Sequence, residues 1–422
     1  MKLMVYSHDA FGLGNIRRML AICQYLLETF ADLSILVVSG SPALHRFRFV
    51  PGLDYIKLPC LGRNSSGQLA VKFLETQTDE TIELRSQLIL STVAHFKPDL
   101  LLVDKKPDGL AGELQRTLNF LETHHPQAKL VLVLRDILDR ADVTVRQWQQ
   151  QGYYDIVSTR YDRVWVVGTP EIFNVCQEYR FPPSVARKVE FCGYIHRASP
   201  QRSPSAIRQE LNVKPDEPFV LVTSGGGGDG YHLVRTYLEG LLSQPEPRRV
   251  KSSIVLGPEM SRSQQQTLTE MADACPHAQV SEFTDELTSY LNAADLVVSM
   301  GGYNTVTEIL SFKKRAIVVP RVYPVEEQWI RAERMAKRGL FRVIHPDNLT
   351  PKILMEQVFE ELQSPRDTAN SSSHTSRLDL NALPRIARYC SALLNHQATD
   401  LPTLSFESHS FAEYSCVAPA SL

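Results

Sequence analysis

Ser299 to Leu310 reads SMGGYNTVTEIL, directly after the apolar run Ala293-Ala294-Asp295-Leu296-Val297-Val298. The apolar run predicts a buried strand. Gly301 and Gly302 then turn the chain into a helix beginning near Tyr303. A strand, a glycine turn and a helix N-terminus make an anion site, because the first N–H groups of a helix lack partners within it and the helix dipole favours negative charge there. Two similar units lie upstream. VLVTSGGGGDG spans Val220 to Gly230, and MVYSHDAFGLGNIRR spans Met4 to Arg18. Three glycine turns, each after a strand, point to a phosphorylated ligand held between two α/β domains.

Working outward, strands and helices alternate, which argues for parallel sheets covered on both faces. Strands are expected near Leu3–Ser7, Ser34–Ser39, Tyr55–Leu58, Leu100–Asp104, Lys129–Leu134, Arg163–Val167 and Val189–Cys192. The second series is Phe219–Thr223, Ser252–Leu256, Gln279–Phe283, Leu296–Met300 and Ala316–Pro320. Amphipathic helices fit between them, clearest at Gly14–Phe30, at Thr78–Phe96 (stopped before Pro98) and at Val325–Arg338. Pro59 to Gln77 has no clear period and reads as a mobile loop. Pro200, Pro204, Pro215 and Pro218 mark a boundary, with one short helix capped by Ser203 and started by Pro204. The expected organisation is therefore a domain over 1–193, a linker over 194–217, a second domain over 218–364 and a tail over 365–422. In the tail, Asn370-Ser371-Ser372-Ser373 is low-complexity, Leu380 to Leu394 has helical period, and the rest reads as loose.

Composition narrows the class. The chain has 422 residues, 43% hydrophobic and 22% charged, which is globular composition for two or three domains. A formal net charge of -2 gives no global reason to bind nucleic acid. The cysteines (Cys23, Cys60, Cys176, Cys192, Cys275, Cys390 and Cys416) include no C-x-x-C pair, so neither zinc nor a disulfide framework is indicated. The N-terminus enters a strand directly, without a signal-peptide pattern, and no apolar run approaches the roughly 20 residues of a membrane span. The expectation is a soluble cytoplasmic protein.

The ordered set SMGGYNTVTEIL, RAIVVPR and EEQWIRAERMAKRG resembles the C-terminal half of glycosyltransferase family twenty-eight, which includes the N-acetylglucosaminyltransferase that completes lipid II. With the paired glycine loops, the resemblance covers about residues 1 to 363. It is most similar to a branch of uncharacterised bacterial glycosyltransferases with a SHD…GLG…RR opening. The resemblance implies an α/β, GT-B fold: two Rossmann-like, doubly wound domains facing each other across a cleft. The first would serve the acceptor and the second would bind the nucleotide sugar.

Each candidate residue has a functional and a structural reading. By resemblance Glu308 holds the donor ribose, since a carboxylate accepts two hydrogen bonds from a vicinal diol. Structurally, Thr305-x-x-Glu308 is a capping box. Gly301 and Gly302, with Asn304 and Thr305 behind them, would let backbone approach the diphosphate; otherwise they only serve a turn of positive φ. Ser224 and Gly225, Gly226, Gly227 and Gly228 read as a phosphate cradle or a flexible loop. Phe283 and Thr284 would hold the base, or Phe283 is a core aromatic ending a strand. Glu327 and Gln328 match the pair that meets the donor sugar, or form a polar first turn.

The opening loop departs from the family. Related enzymes carry a histidine where this chain has Asn15, and an amide does not accept a proton at neutral pH. His8, Asp9 or Asp136 would have to supply a base, although lone groups at strand ends are more often structural. Gly12, Gly14 and Arg17 complete the acceptor side. Arg17 and Arg18 meet an anionic acceptor or lie on a solvated face. Asp104, Lys105 and Lys106 end a strand, where a lysine would face a phosphate, or the segment is only a turn built on Pro107-Asp108-Gly109. HRFRFV, His45 to Val50, suggests peripheral contact with a membrane or a lipid-linked acceptor.

The reading is a metal-independent hexosyltransferase using a nucleotide-diphosphate donor, a UDP-sugar, with no bound cofactor and an unidentified acceptor hydroxyl. No Asp-x-Asp metal pair is recognisable. The alternatives are a hydrolase or epimerase of nucleotide sugars on the same scaffold, a binding protein that lost catalysis with Asn15, and, more distantly, a dehydrogenase. The last requires G-x-G-x-x-G, whereas the first turn reads GLGNIR.

Overall fold

A computed structural model describes residues 1–7, 14–42, 44, 50–64, 68–196, 200–245, 250–364 and 378–394. The chain forms two compact units, one of residues 1–195 with the segment from Asn381 onward, the other His196–Leu380.

The first unit is built on β1 (Lys2–Ser7), β2 (Ser34–Ser39), β3 (Leu53–Lys57), β6 (Leu100–Asp104), β7 (Lys129–Arg135), β8 (Arg163–Val167) and β9 (Val189–Phe191). All pair in parallel, in the order β3-β2-β1-β6-β7-β8-β9. Strands such as LLLVD are buried at every residue, as expected where helices cover both faces of a sheet. Between β3 and β6, β4 (Leu61–Arg63) and β5 (Leu69–Val71) pair antiparallel, so the stretch Pro59–Gln77 carries a hairpin where sequence suggested a loop. Leu69 and Val71 pack on a small core of Leu61 and Leu110.

Two buried ion pairs sit at the carboxyl ends of these strands. Arg18, on the helix Gly14–Thr29, meets Asp104 at 2.6 Å. Arg85, on the helix Thr78–Phe96, meets Glu113 at 2.5 Å. Tyr6 of β1 donates its hydroxyl proton to Glu113, and Arg85 also donates to the Pro59 carbonyl. Buried charges persist when paired and hydrogen-bonded.

The second unit has a wholly parallel sheet of β10 (Phe219–Thr223), β11 (Lys251–Val255), β12 (Ala278–Ser281), β13 (Leu296–Ser299), β14 (Arg315–Val318) and β15 (Arg342–Val343). Its order is β12-β11-β10-β13-β14-β15. Counted within the unit this is 3-2-1-4-5-6, the doubly wound order with its switch point between β10 and β13. The stretch read as a linker carries the helix Pro204–Glu210, capped by Ser203 accepting from the Ala206 N–H at 3.3 Å. Arg208 ties this helix to Asp295, just before β13, at 3.1 Å.

The chain then returns to the first unit. Asn381 bridges Ile195, and the helix Ala382–Leu394 packs on the helix Gly14–Thr29, burying Ala382, Ile386, Ala387 and Cys390.

Candidate functional site

In an open parallel sheet, ligands are taken at the carboxyl ends of the strands, at the switch point. In the second unit, the loops leaving that point are the two glycine turns, Ser224–Gly230 after β10 and Met300–Gly302 after β13.

The β10 loop is packed against its own chain. Ser224 donates to the Leu256 carbonyl, and the Glu259 N–H donates to the Gly226 carbonyl at 2.8 Å. Gly227 has φ +95°, and a Cβ there would lie 2.5 Å from the Leu256 carbonyl oxygen. Its glycine is required by the loop itself. Gly225 differs: φ is +71°, yet among the described residues nothing lies within 4 Å of a Cβ built there. Among the described residues, Gly226 and Gly228 have only Glu259 nearby. The four glycines thus divide between internal packing and an open face.

The β13 turn has the same division. Gly301 has φ +69°, and a side chain would run into Val318. Gly302 is open; the nearest atom to its built Cβ is Gln328 Nε2 at 4.0 Å. Gly302 caps the helix Tyr303–Ser311. Thr305 is therefore the third helical residue and Glu308 the sixth. A capping box needs the threonine at the N-cap, so that structural reading of Glu308 is corrected. Glu308 is 0% exposed, and Asn304 and Thr305 are also buried.

Glu327 and Gln328 open the helix Glu327–Ala336, beside the turn. The Arg321 N–H donates to Gln328 Oε1 at 3.1 Å, and its guanidinium pairs with Glu327 at 3.3 Å and Asp229 at 3.1 Å. Arg321 thus ties the glycine loop after β10 to the helix after β14. Sequence reading missed both Arg321 and Asp229; their signal is a charged residue one or two places from a strand-end proline or glycine run. Phe283 stands beyond β12, which ends at Ser281, and is 48% exposed. It is not the core aromatic that a strand ending at Phe283 would give. Thr284 accepts the Glu286 N–H at 3.1 Å. Gly257 joins this loop to the others by donating to the Glu282 carbonyl at 2.8 Å.

In the first unit, His8, Asp9 and Gly12 lie outside the described residues, as do residues 45–49 of the basic-aromatic stretch. Gly14 opens its helix, and among the described residues nothing lies within 4 Å of a side chain built there. Asn15 and Arg17 are half-buried, exposed in part beside it, and Asn15 Oδ1 accepts from Arg18 at 3.3 Å. Arg18 is neither an acceptor ligand nor part of a solvated face, because Asp104 holds it in the interior. Asp136 is likewise corrected as a candidate base. It is 0% exposed; one oxygen accepts from Tyr194 at 2.8 Å and the other from the Ile137 N–H at 2.8 Å. Gly168 packs against its Cβ. Both oxygens are thus already engaged in the interior.

A family model for the glycosyltransferase family 28 C-terminal domain matches residues 219–387. These residues belong to glycosyltransferase family 28. The family 28 segment thus begins at β10, covers both glycine turns and runs into the returning helix. An uncharacterized glycosyltransferase of Methanopyrus kandleri is 27% identical over 179 residues, 42% of this chain and 48% of that protein. The UDP-N-acetylglucosamine–N-acetylmuramyl-(pentapeptide) pyrophosphoryl-undecaprenol N-acetylglucosamine transferase of Syntrophotalea carbinolica is 28% identical, over 46% of this chain and 56% of that protein. The chain thus spans about half the length of the curated relatives it matches. The solved MurG of Acinetobacter baumannii superposes over 93% of this chain and 99% of its own, with a TM-score of 0.57 and 15% identity. The fold is GT-B, with two Rossmann-like domains.

Proposed function

We propose that this protein is a glycosyltransferase that moves a sugar from a nucleotide-diphosphate donor, a UDP-sugar, to an acceptor hydroxyl. The observation that carries the reading is the meeting of two open-faced glycine turns, Gly225 and Gly302, at the switch point of a family 28 domain. Their backbone approaches the diphosphate without side chains intervening. The N-terminus of the helix Tyr303–Ser311 stabilises the charge on the departing diphosphate. Glu308 accepts the ribose diol, and a buried carboxylate gains most from two such bonds. Gln328 and Glu327 meet the donor sugar, and Phe283 covers the base.

Catalysis in this reading is mainly positioning and electrostatic stabilisation, without a bound metal. Asn15 accepts no proton and Asp136 is occupied, so a side-chain base would come from His8 or Asp9. A base is typically worth about 10²–10⁴-fold in rate. The acceptor is lipid-linked, as in the name of the Syntrophotalea relative. Phe73, Leu74, Leu84 and Leu88 are exposed on the first unit and suit peripheral contact with lipid. No helix among the described residues is long and apolar enough to cross a membrane. The protein would work at the cytoplasmic face.

The test is thermal unfolding with UDP, GDP, ADP and dTDP, each with and without magnesium, on wild type and Glu308→Gln. UDP at about 100 times its dissociation constant should stabilise wild type by about 2.7 kcal/mol, independently of magnesium. Glu308→Gln should need at least tenfold more UDP for the same shift. A variant that loses stability yet binds UDP normally would make Glu308 structural. No shift with any nucleotide would overturn the donor site.

A further inference from the structure

The first unit holds a second cavity chemistry that the donor site does not use. Lys106, Asp108, Leu110 and Ala111, on the loop between β6 and the helix Gln115–His124, line a cavity of about 220 Å³ with Leu69 of the hairpin and with Gln147, Gln151 and Tyr153. Asp108 is 5% exposed. Its Oδ1 is buried and has no hydrogen-bond partner among the described residues. Tyr153 and Lys106 both lie near enough to act on the carboxylate. Burial holds Asp108 above the usual aspartate range. A buried acceptor left unmatched costs about 1–3 kcal/mol, so its retention beside a cavity needs a reason.

The surroundings select the ligand's chemistry. A cation would meet the charge of Lys106, and an anion would meet Asp108 and the nearby Glu113. A neutral hydrogen-bond donor avoids both. Gln147 and Gln151 are exposed at the cavity and each both donates and accepts. Leu69, Leu110 and Ala111 supply an apolar floor. Hydroxyls around a ring with C–H faces fit this mixture. The volume is below the roughly 300 Å³ at which pockets for drug-sized ligands begin, and suits one ring. The loop is also held in an unusual backbone: Lys105 and Ala111 have φ of 69° and 53°, without being glycine. Such conformations persist where surrounding structure enforces them.

We propose that this cavity binds a neutral sugar ring of the acceptor, with Asp108 Oδ1 accepting a hydrogen bond from a ring hydroxyl and Gln147 and Gln151 bonding its neighbours. The acceptor is then a glycoside, an assignment that rests on the transferase reading above. The cavity's own binding can be measured without turnover.

The test is saturation-transfer NMR on the full chain with a panel of methyl hexosides and N-acetylhexosaminides, with ethanolamine and acetate as charged controls. UDP binding is measured in parallel. At least one methyl glycoside should give saturation transfer to wild type. Its affinity should fall tenfold or more in Asp108→Asn and in the exposed double variant Gln147→Ala/Gln151→Ala, while UDP binding is unchanged. Glycoside binding unaffected in both variants, or no glycoside binding to a protein that binds UDP, overturns the proposal. Binding of ethanolamine or acetate in place of glycosides overturns the neutral-ligand assignment. Loss of UDP binding with glycoside binding intact and sensitive to Asp108→Asn would sink the donor reading and leave the sugar cavity standing.

Discussion

Single residues in this protein separate what the fold requires from what a ligand requires. Gly225 and Gly227 stand two apart in one loop, both with positive φ. An alanine at Gly225 meets only the strain of the left-handed region, about 1 kcal/mol, because the space is open. An alanine at Gly227 meets the same strain and the Leu256 carbonyl, so backbone must shift, at about 1–3 kcal/mol more. Chemical denaturation should therefore rank Gly227→Ala as the less stable variant. UDP titration should rank them in reverse after correction for unfolding, with Gly225→Ala the weaker binder. Equal stability losses would mean that the loop relaxes and that the open face has no special standing. Asp108 gives a pH signature. Its carboxyl is raised by burial, so between its unfolded and folded pKa the unfolded chain has released a proton that the folded chain still holds. Its favourable contribution is complete below the ordinary aspartate value and is lost as pH rises through the folded value. Asp108→Asn removes that loss. The difference in melting temperature, variant minus wild type, should grow more positive from about pH 3 to pH 7. A difference independent of pH would show that Asp108 does not titrate as described.

Elements were legible from sequence to the degree that they are buried on both sides. β6 and β13 are continuous apolar runs closed by a polar or glycine residue, and the sequence places their ends within a residue of those observed. Parallel strands advertise themselves in this way because neither face sees water. The hairpin of β4 and β5 did not, since three-residue strands cannot show an alternation, and the apolar residues that anchor them, Leu61, Leu69 and Val71, are few. Helical period identified the segment ending at Leu394, but period says which face is apolar and not what it meets. The partner is the helix Gly14–Thr29, more than 350 residues earlier in the chain. The two glycine turns of the second unit were legible because glycine at a strand end has few other uses. The tie from Arg321 to Asp229 and Glu327 was not, because it joins loops that follow non-adjacent strands in sequence. Arg18 misled for the opposite reason. A paired arginine on a helix reads as surface until the strand that carries Asp104 is placed beside it.

At the scale of the molecule, each unit has its own sheet and its own helical cover. A ligand raises the free energy of only those openings that break its site. If the donor contacts are those proposed, UDP protects amides of the β10 loop, the β13 turn, the first turns of the helix Tyr303–Ser311 and the start of the helix Glu327–Ala336. It leaves the amides of Lys105–Gly112, around the cavity of Asp108, at their unliganded rates. Hydrogen exchange followed by mass spectrometry resolves these segments. A methyl glycoside that occupies the cavity should give the complementary pattern, protecting the loop Lys105–Gly112 and the residues around Gln147 to Tyr153 alone. Protection by UDP of the Asp108 loop would contradict donor contacts confined to the second unit. Protection by the glycoside of the glycine turns would mean that the sugar enters the donor site rather than the cavity. The two maps together assign each ligand to its unit without requiring turnover, and so test the division of labour separately from the chemistry.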